Sequence, residues 1–189
     1  MKKDKIFKLT ITAMFTAIIF LFTQILIPAP TGFLHFADSI MYLCAGLVGG
    51  PWAIFAGVIG ETLADVTSGY LVYAPFTIVI KFLVCGIMVL ASRKSNKILT
   101  WKSAVATIPA GLITVFGYSI ADYIINKAQA LATLPINALQ AVSSAVIFII
   151  LAAALDKAKL KSKIISKYDS KRKNEIDWYY LYTWRWSLF

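Results

Sequence analysis

Charged side chains are scarce in this sequence. Only 15% of its 189 residues are charged and 59% are hydrophobic, whereas an ordinary soluble domain has about a quarter charged residues and roughly half apolar ones. A water-soluble globular protein is therefore excluded. At about 20 residues for each membrane-spanning helix, the chain has room for at most roughly six or seven spans. That leaves no space for a soluble catalytic domain of the usual ~100 residues.

Histidine, cysteine and known catalytic motifs are also scarce. His35 is the only histidine, and a lone histidine is poor evidence for a metal site, so we expect neither a metal nor a cofactor. Cys44 and Cys85 fall within apolar runs, where cysteine is usually a packing residue. The motifs GxSG, GxGD and HExxH are missing, as are the Walker and GxGxxG motifs. The sequence therefore predicts neither an intramembrane enzyme nor a nucleotide-binding protein.

Long apolar runs, bounded by charge, proline or glycine, make up most of the chain. They predict an all-α, polytopic membrane protein whose six membrane-spanning helices form one bundle over residues 1–155. The six spans are expected at about residues 6–27, 37–49, 52–68, 76–92, 104–126 and 136–155. The second run is short, and Gly49-Gly50-Pro51 separates it from the third, which favours a tight helical hairpin there.

Most basic residues lie on one side of the membrane in this arrangement of spans. The chain has 19 Lys+Arg against 9 Asp+Glu and a net charge of +10. The positive residues lie before the first span, between the fourth and fifth spans, and in the tail, except Lys127 in an opposite connection and Lys81 inside a span. The positive-inside rule then predicts cytoplasmic N- and C-termini. We expect a multi-pass protein of a bacterial cell membrane, with the lipid bilayer and not nucleic acid as the partner of this charge.

The tail at residues 156–189 differs from the rest of the chain. It begins with a lysine-rich stretch and ends in an aromatic segment that includes Trp178, Trp184 and Trp186. A basic segment followed by aromatic residues can lie on the anionic inner leaflet. A poorly ordered or aberrant tail is an equally good interpretation.

Polar side chains concentrate in the outer halves of the predicted spans, away from the termini. An ionisable residue inside a span costs about 3 kcal/mol on insertion scales, which makes each one a functional candidate. The inner halves consist mainly of Ala, Gly, Ile, Leu and Phe. Because a channel or a self-sufficient carrier needs a polar path to both sides, this pattern predicts a receptor that opens outward. Glu61 lies near the middle of span 3, and the residues of the outer halves include Asp38, Asp65, Lys81, Asp122, Asn126, Asn137, Gln140, Ser143 and Ser144.

A small-molecule pocket is expected at this outer end. The connections 28–36 and 69–75 are rich in aromatic residues, proline and glycine, and such residues can cover a flat polar ligand. An interfacial aromatic belt is an equally good interpretation of the aromatic residues. The candidate substrate-binding residues are His35, Phe36, Asp38, Tyr70, Tyr73, Lys81, Asp122, Asn126 and Gln140.

Two of these candidates have charges that need partners. Lys81 is expected at a depth similar to Asp65, so the two side chains form either a structural salt bridge or part of the ligand site. Asp122 has no cation near it in the sequence, which favours a direct role in binding the ligand over a merely solvated position.

Several runs, taken in order, resemble one protein family. They are Gly32-Phe-Leu-His-Phe-Ala-Asp38, Gly46-Leu-Val-Gly-Gly-Pro51, Ala56-Gly-Val-Ile-Gly60 followed by Asp65, and Tyr73-Ala-Pro-Phe-Thr77 leading to Ile80-Lys81. Over roughly residues 6–155 the chain resembles the substrate-binding S component of energy-coupling factor (ECF) vitamin transporters. It is most similar to the riboflavin-type branch, which includes receptors assigned to hydroxymethylpyrimidine and pyridoxine.

The resemblance implies a receptor that depends on partner proteins for energy. In this family the first and third loops and spans 4 to 6 form the pocket, and the S component pairs with a transmembrane scaffold subunit and two ATPase subunits. Ala13 and Ala17, whose spacing allows close helix approach, correspond to an alanine pair that contacts the scaffold, whereas internal packing is the alternative from spacing alone.

The expected function is therefore transport without catalysis. The chain should capture a small water-soluble vitamin or precursor, similar to hydroxymethylpyrimidine or pyridoxine, at the outer face and deliver it inward with the ATP-driven module. Riboflavin and pantothenate are further possible ligands. The alternative function is that of a stand-alone channel or secondary carrier, which the missing inner polar path disfavours.

Overall fold

The computed structural model describes residues 2–29, 32–93 and 95–163. Six α-helices account for most of these residues, and the predicted basic and aromatic tail lies outside them from residue 164 onward. In chain order the elements are α1 (Lys2–Gln24), β1 (Ile27–Ala29), β2 (Gly32–Leu34), α2 (Ala37–Leu47), α3 (Gly50–Thr67), a 3₁₀ turn (Leu71–Tyr73), α4 (Ala74–Ser92), α5 (Trp101–Ile125) and α6 (Gln129–Lys157).

Helix α2 lies at the centre of the bundle. It is 11 residues long, its residues 37–46 are all buried, and it contacts α1, α3, α4 and α6. The other helices pack around it in chain order, with α1 against α3, α3 against α4, α4 against α5, and α5 against α6. A helix enclosed in this way must be apolar nearly all round. Asp38 and Ser39, which lie in its first turn, are the exceptions that bring polar groups to the centre.

Different elements lie at the two ends of the bundle. We call one the hairpin end, which holds β1, β2, the 3₁₀ turn and the α5–α6 connection. The other is the terminal end, which holds the start of α1, the α2–α3 turn, the α4–α5 connection and the end of α6. At the α2–α3 turn, Gly49 and Gly50 have φ values of 65° and 60° and Pro51 lies in the first turn of α3. The predicted helical hairpin is confirmed there.

The structure corrects two predictions about the elements. The sixth helix begins at Gln129 and not near residue 136, although Pro135 lies inside it. Proline removes one backbone hydrogen bond, but Thr133 is buried and its hydroxyl binds Asp122 on α5, which holds the first turns in place.

The all-α prediction also missed a small β-hairpin. Strands β1 and β2 are antiparallel and pair Ile27 with Leu34, Pro28 with Phe33 and Ala29 with Gly32. Pro28 is compatible with pairing here because both strands of a two-stranded sheet are edge strands. The hairpin packs against α6 through β2.

Among the residues that the structure describes, four helices are long and apolar enough to cross a membrane: Ile6–Gln24, Leu71–Ser92, Trp101–Ile125 and Ala130–Lys157. Helix α2 is a shorter apolar helix, and α3 carries Glu61 and Asp65 within its 18 residues. Large apolar side chains such as Ile108, Leu112 and Phe116 point away from the bundle. Such a surface suits lipid and not water.

Candidate functional site

A buried ion cluster lies in the half of the bundle that faces the hairpin end. The ammonium of Lys81 on α4 is 2.5 Å from Asp38 Oδ1 on α2 and 3.0 Å from Glu61 Oε2 on α3. All three side chains are at most 1% exposed. The predicted pairing of Lys81 with Asp65 is wrong, because the central helix α2 carries Asp38 to a position beside Lys81.

The ion cluster of Asp38, Glu61 and Lys81 has more acidic than basic groups. Two carboxyl groups face one ammonium, and among the described residues Asp38 Oδ2 and Glu61 Oε1 have no hydrogen-bond partner. The ammonium also lies 5.4 Å from the centre of the Tyr118 ring, within cation–π range. Buried polar atoms are nearly always hydrogen-bonded in folded proteins. The two free carboxyl oxygens are therefore candidate ligand contacts.

Further polar groups surround the ion cluster. Thr77 and Tyr118 are hydrogen-bonded through their hydroxyls at 3.1 Å. Tyr42 on α2 is fully buried, and its hydroxyl has no hydrogen-bond partner within the part of the chain that the structure describes. The sequence analysis did not identify Tyr42, Thr77 or Tyr118 as site residues. Their matching depth in spans 2, 4 and 5 is the signal that would have found them.

His35 connects the β-hairpin to α6. Its backbone N–H donates to Gln140 Oε1 at 3.3 Å. The ring atom Nδ1 is buried and finds no hydrogen-bond partner among residues 2–29, 32–93 and 95–163. Burial, assisted by the charge of Lys81 and opposed by that of Asp38, lowers the pKa of His35 to about 4. The imidazole is therefore neutral at pH 7.

Asp122 joins three elements near the hairpin end. Its Oδ1 accepts a hydrogen bond from the Tyr73 hydroxyl at 2.7 Å, and its Oδ2 accepts one from the Thr133 hydroxyl at 2.5 Å. The carboxyl group is 4% exposed. Both oxygens thus have protein partners, one in the 3₁₀ turn and one in α6. The sequence did not predict Thr133 because it lies in the part of α6 that was expected to be a connection.

The predicted aromatic residues form a chain across the hairpin end. The ring centroids of Phe33 and Tyr70 are 6.4 Å apart, and those of Tyr70 and Tyr73 are 6.3 Å apart, both in edge-to-face orientation. Phe36 is half-buried just before α2. Asn126 is exposed at the end of α5 and caps it through its backbone N–H.

Seven of the nine predicted site residues thus form three groups, and Phe36 and Asn126 lie outside them. The first group surrounds Lys81 and Asp38, and the second links His35 to Gln140. The third joins Tyr70 and Tyr73 to Asp122, whereas Asn126 lies apart from these contacts on the surface. Cys44 and Cys85 are free and buried, as the packing interpretation predicts. Among the described residues, no three His, Cys, Asp or Glu side chains lie close enough together to hold a metal ion.

An apolar groove runs along the outside of α1 and α3. Its volume is about 570 Å³, and Ala13 and Ala17 both line it and are exposed. Gly60 forms part of the close contact beneath the groove, since a Cβ there would lie 2.9 Å from the Thr16 carbonyl oxygen. At one end of α1, the Gln24 side chain hydrogen-bonds to Thr67 and Ser68.

The apolar outer surface and the buried ion cluster are those of a helical membrane protein with a polar site in its interior. The family model described as ECF-type riboflavin transporter, S component, matches residues 3–157. The chain belongs to this family, which confirms the resemblance found in the sequence and makes the protein a transporter component and not an enzyme. It is also 35% identical over 128 residues to an "Uncharacterized protein in gap 3'region" of Pyrococcus woesei, covering 66% of this chain and 82% of the relative.

Proposed function

We propose that this chain captures a small vitamin or vitamin precursor, similar to hydroxymethylpyrimidine or pyridoxine, at the hairpin end. The observation that carries the proposal is the pair of free carboxyl oxygens in the buried ion cluster of Asp38, Glu61 and Lys81. Carboxyl oxygens accept hydrogen bonds, so they favour a ligand with amino or hydroxyl donors. The aromatic rings of Phe33, Tyr70 and Tyr73 offer surfaces for a flat ring.

The ligand enters past contacts that close the hairpin end. The His35–Gln140 hydrogen bond holds the β-hairpin to α6, and Asp122 holds the 3₁₀ turn through Tyr73. These are few and local contacts, so opening them costs little compared with unfolding the bundle. Asn126 and Phe36 lie at the border of this region and contribute to the entrance.

In the cell membrane, the hairpin end faces outward and both termini are cytoplasmic. All six helices then form spans, with α2 and α3 sheltered by the four long apolar helices. This orientation puts the exposed basic residues Arg93, Lys97, Lys102 and Lys157 inside and Lys127 outside. The positive-inside rule supports that orientation.

Energy for import comes from partner proteins. A helix of a transmembrane scaffold subunit docks in the α1–α3 groove, where the small side chains of Ala13 and Ala17 allow close approach. Two ATPase subunits bound to the scaffold hydrolyse ATP. This arrangement agrees with a chain whose described inner half contains no buried ion cluster like that of the hairpin half.

The experiment is a thermal-shift screen of the purified, detergent-solubilised chain against water-soluble vitamins and their precursors. A ligand at 100 times its dissociation constant stabilises the folded state by about 2.7 kcal/mol. We expect a shift with hydroxymethyl-substituted heteroaromatic compounds. If folded protein without co-purified ligand shows no shift with any compound, the receptor proposal is wrong and a channel or carrier becomes the better explanation.

Asp122 provides a variant for the same screen. Asp122→Ala removes the acceptor of the Tyr73 and Thr133 hydroxyls and should weaken ligand binding at least about tenfold, as expected for a buried charged hydrogen-bonding group. Tyr73→Phe keeps the ring and removes one of the two bonds, so it should weaken binding less. Unchanged affinity in Asp122→Ala would remove Asp122 from the site.

A further inference from the structure

A cavity separate from the α1–α3 groove lies at the terminal end, far from the ion cluster. Its volume is about 300 Å³, and it is bordered by Lys97, Leu99, Ala153, Asp156 and Lys157. These residues come from the α4–α5 connection and the end of α6. The apolar stretch of α5 starts at Trp101 and that of α6 ends at Lys157. The cavity therefore lies at the level where the two apolar helices leave the membrane.

The acidic residue of the cavity is already engaged. Asp156 Oδ1 and Oδ2 accept hydrogen bonds from the backbone N–H groups of Ile98 and Leu99, each at 2.8 Å. This contact fixes the α4–α5 connection to α6. Ile98 is thereby held against α2, where a Cβ on Gly46 would lie 2.7 Å from the Ile98 side chain. The carboxyl group of Asp156 is a structural acceptor, and it leaves the two lysines to face the cavity.

A third lysine lies next to the cavity. The Lys161 ammonium donates to the Lys97 carbonyl oxygen at 3.4 Å. Burial lowers the pKa of Lys161, while the charge of Asp156 opposes that shift. A half-buried ammonium is stabilised by a nearby anion. Three cationic side chains against one engaged carboxylate give the cavity a positive charge that favours an anion.

The residues that line the cavity favour one kind of anion over another. Leu99 and Ala153 supply an apolar side, and the neighbouring Trp101 is 75% exposed. Tryptophan is enriched where a membrane meets water. A phosphate bound to an apolar chain satisfies both the lysines and the apolar wall, whereas inorganic phosphate satisfies the lysines alone.

We propose that this cavity binds the phosphate group of an anionic membrane phospholipid. Lys97 and Lys157 contact the phosphate, and Leu99 and Ala153 contact the glycerol and the first carbons of the acyl chains. Basic pockets between helices on the cytoplasmic side of a membrane are suited to such headgroups. The bound lipid fixes the depth of the terminal end in the bilayer.

The test uses the full chain in mixed micelles of a neutral detergent. Thermal unfolding is followed while phosphatidylglycerol is added, in parallel with phosphatidylcholine of the same acyl chains and with inorganic phosphate. We expect saturable stabilisation by phosphatidylglycerol alone. Because a hydrogen bond to a charged group contributes about tenfold in affinity or more, the double variant Lys97→Gln with Lys157→Gln should bind phosphatidylglycerol about 100-fold more weakly.

A matched pair controls for total charge. Arg93→Gln with Lys102→Gln removes the same charge from the same end of the bundle but does not alter the cavity lining, and it should retain most of the affinity. Lys97→Arg with Lys157→Arg should also retain it. Equal losses in both Gln pairs would mean diffuse attraction and overturn the proposal. So would equal stabilisation by inorganic phosphate or by phosphatidylcholine, or unchanged binding in the first pair.

Discussion

At the scale of single residues, the main electrostatic feature is the fully buried Lys81. Its ammonium is shared by Asp38 and Glu61 and lies near the face of the Tyr118 ring. Moving an ion from water into the protein interior costs free energy. The attraction between the charges of the cluster offsets that cost only while all three residues are present. The cluster therefore makes folding sensitive to the loss of any one charge.

Lys81→Met should destabilise the protein by about 3–5 kcal/mol, because two carboxyl groups would stay buried without their cation. The triple change Lys81→Met, Asp38→Asn and Glu61→Gln should recover more than half of the loss, since no uncompensated charge remains. Thermal unfolding in detergent measures both. The exposed Lys127→Met is the control and should change stability by less than about 0.5 kcal/mol. A Lys81→Met protein as stable as the wild type would contradict this assignment.

The buried position of His35 predicts that the stability of the folded protein depends on pH. Burial lowers the pKa of His35 to about 4 in the folded protein, whereas an unfolded histidine has a pKa near 6.5. Between these values the unfolded state binds more protons, so stability is highest above about pH 6.5 and falls as the pH is lowered toward 4. Lys81 and Asp38 are the charged groups that face the ring.

The check compares thermal unfolding of the wild type and His35→Gln from pH 7 to pH 4. Carboxyl groups titrate in both proteins, so the difference between the two curves isolates His35. The wild type should lose more stability on acidification than the variant. Parallel curves would show that the imidazole is not buried as described.

At the scale of helices, close packing depends on small residues at defined crossings. A Cβ on Gly60 would lie 2.9 Å from the Thr16 carbonyl oxygen. Because that oxygen belongs to the backbone of α1, relieving the contact requires a shift of the helix. Gly60→Ala should therefore separate α1 from α3 and destabilise the protein by about 1–3 kcal/mol. Gly86→Ala is the matched control in α4, because nothing lies within 4 Å of its added Cβ.

Thermal unfolding of these two alanine variants distinguishes packing from helix propensity. Gly86→Ala should be neutral or stabilising by up to about 1 kcal/mol, as expected for glycine replaced by alanine inside a helix. If Gly60→Ala behaves in the same way, the close contact between α1 and α3 is not as the structure has it.

The helices themselves could be predicted from the sequence, but their contacts could not. Apolar runs and breakers such as Gly49 and Pro51 indicated all six helices and the α2–α3 turn. The β-hairpin was missed because three-residue strands containing Pro28 have no readable alternation. The Lys81 partners were missed because depth along a span does not reveal which helix is central. That helix is α2, which carries Asp38.

At the scale of the whole molecule, the proposed ligand site and the proposed partner groove are separated. The ion cluster lies toward the hairpin end, and the apolar groove lies along α1 and α3. A protein built in this way can bind a ligand and a partner at the same time through different surfaces. The two functions should therefore be separable by mutation.

Ala13→Trp with Ala17→Trp should fill the groove and block assembly with the scaffold subunit while leaving ligand binding unchanged. Met14→Trp, at a neighbouring exposed position on α1 that does not line the groove, is the control. Co-purification with the scaffold and ATPase subunits measures assembly, and a thermal shift measures ligand binding. Normal assembly of the Ala13 and Ala17 double variant would mean that the partner docks elsewhere.

The most direct test of a receptor role is binding of a radiolabelled ligand, identified in the vitamin screen, to proteoliposomes that contain this chain alone. A receptor that needs an ATP-driven partner should bind the ligand saturably, up to one molecule for each accessible chain, with no accumulation inside the vesicles. Accumulation beyond that amount would mean that the chain transports by itself as a channel or carrier, and would contradict the proposed function.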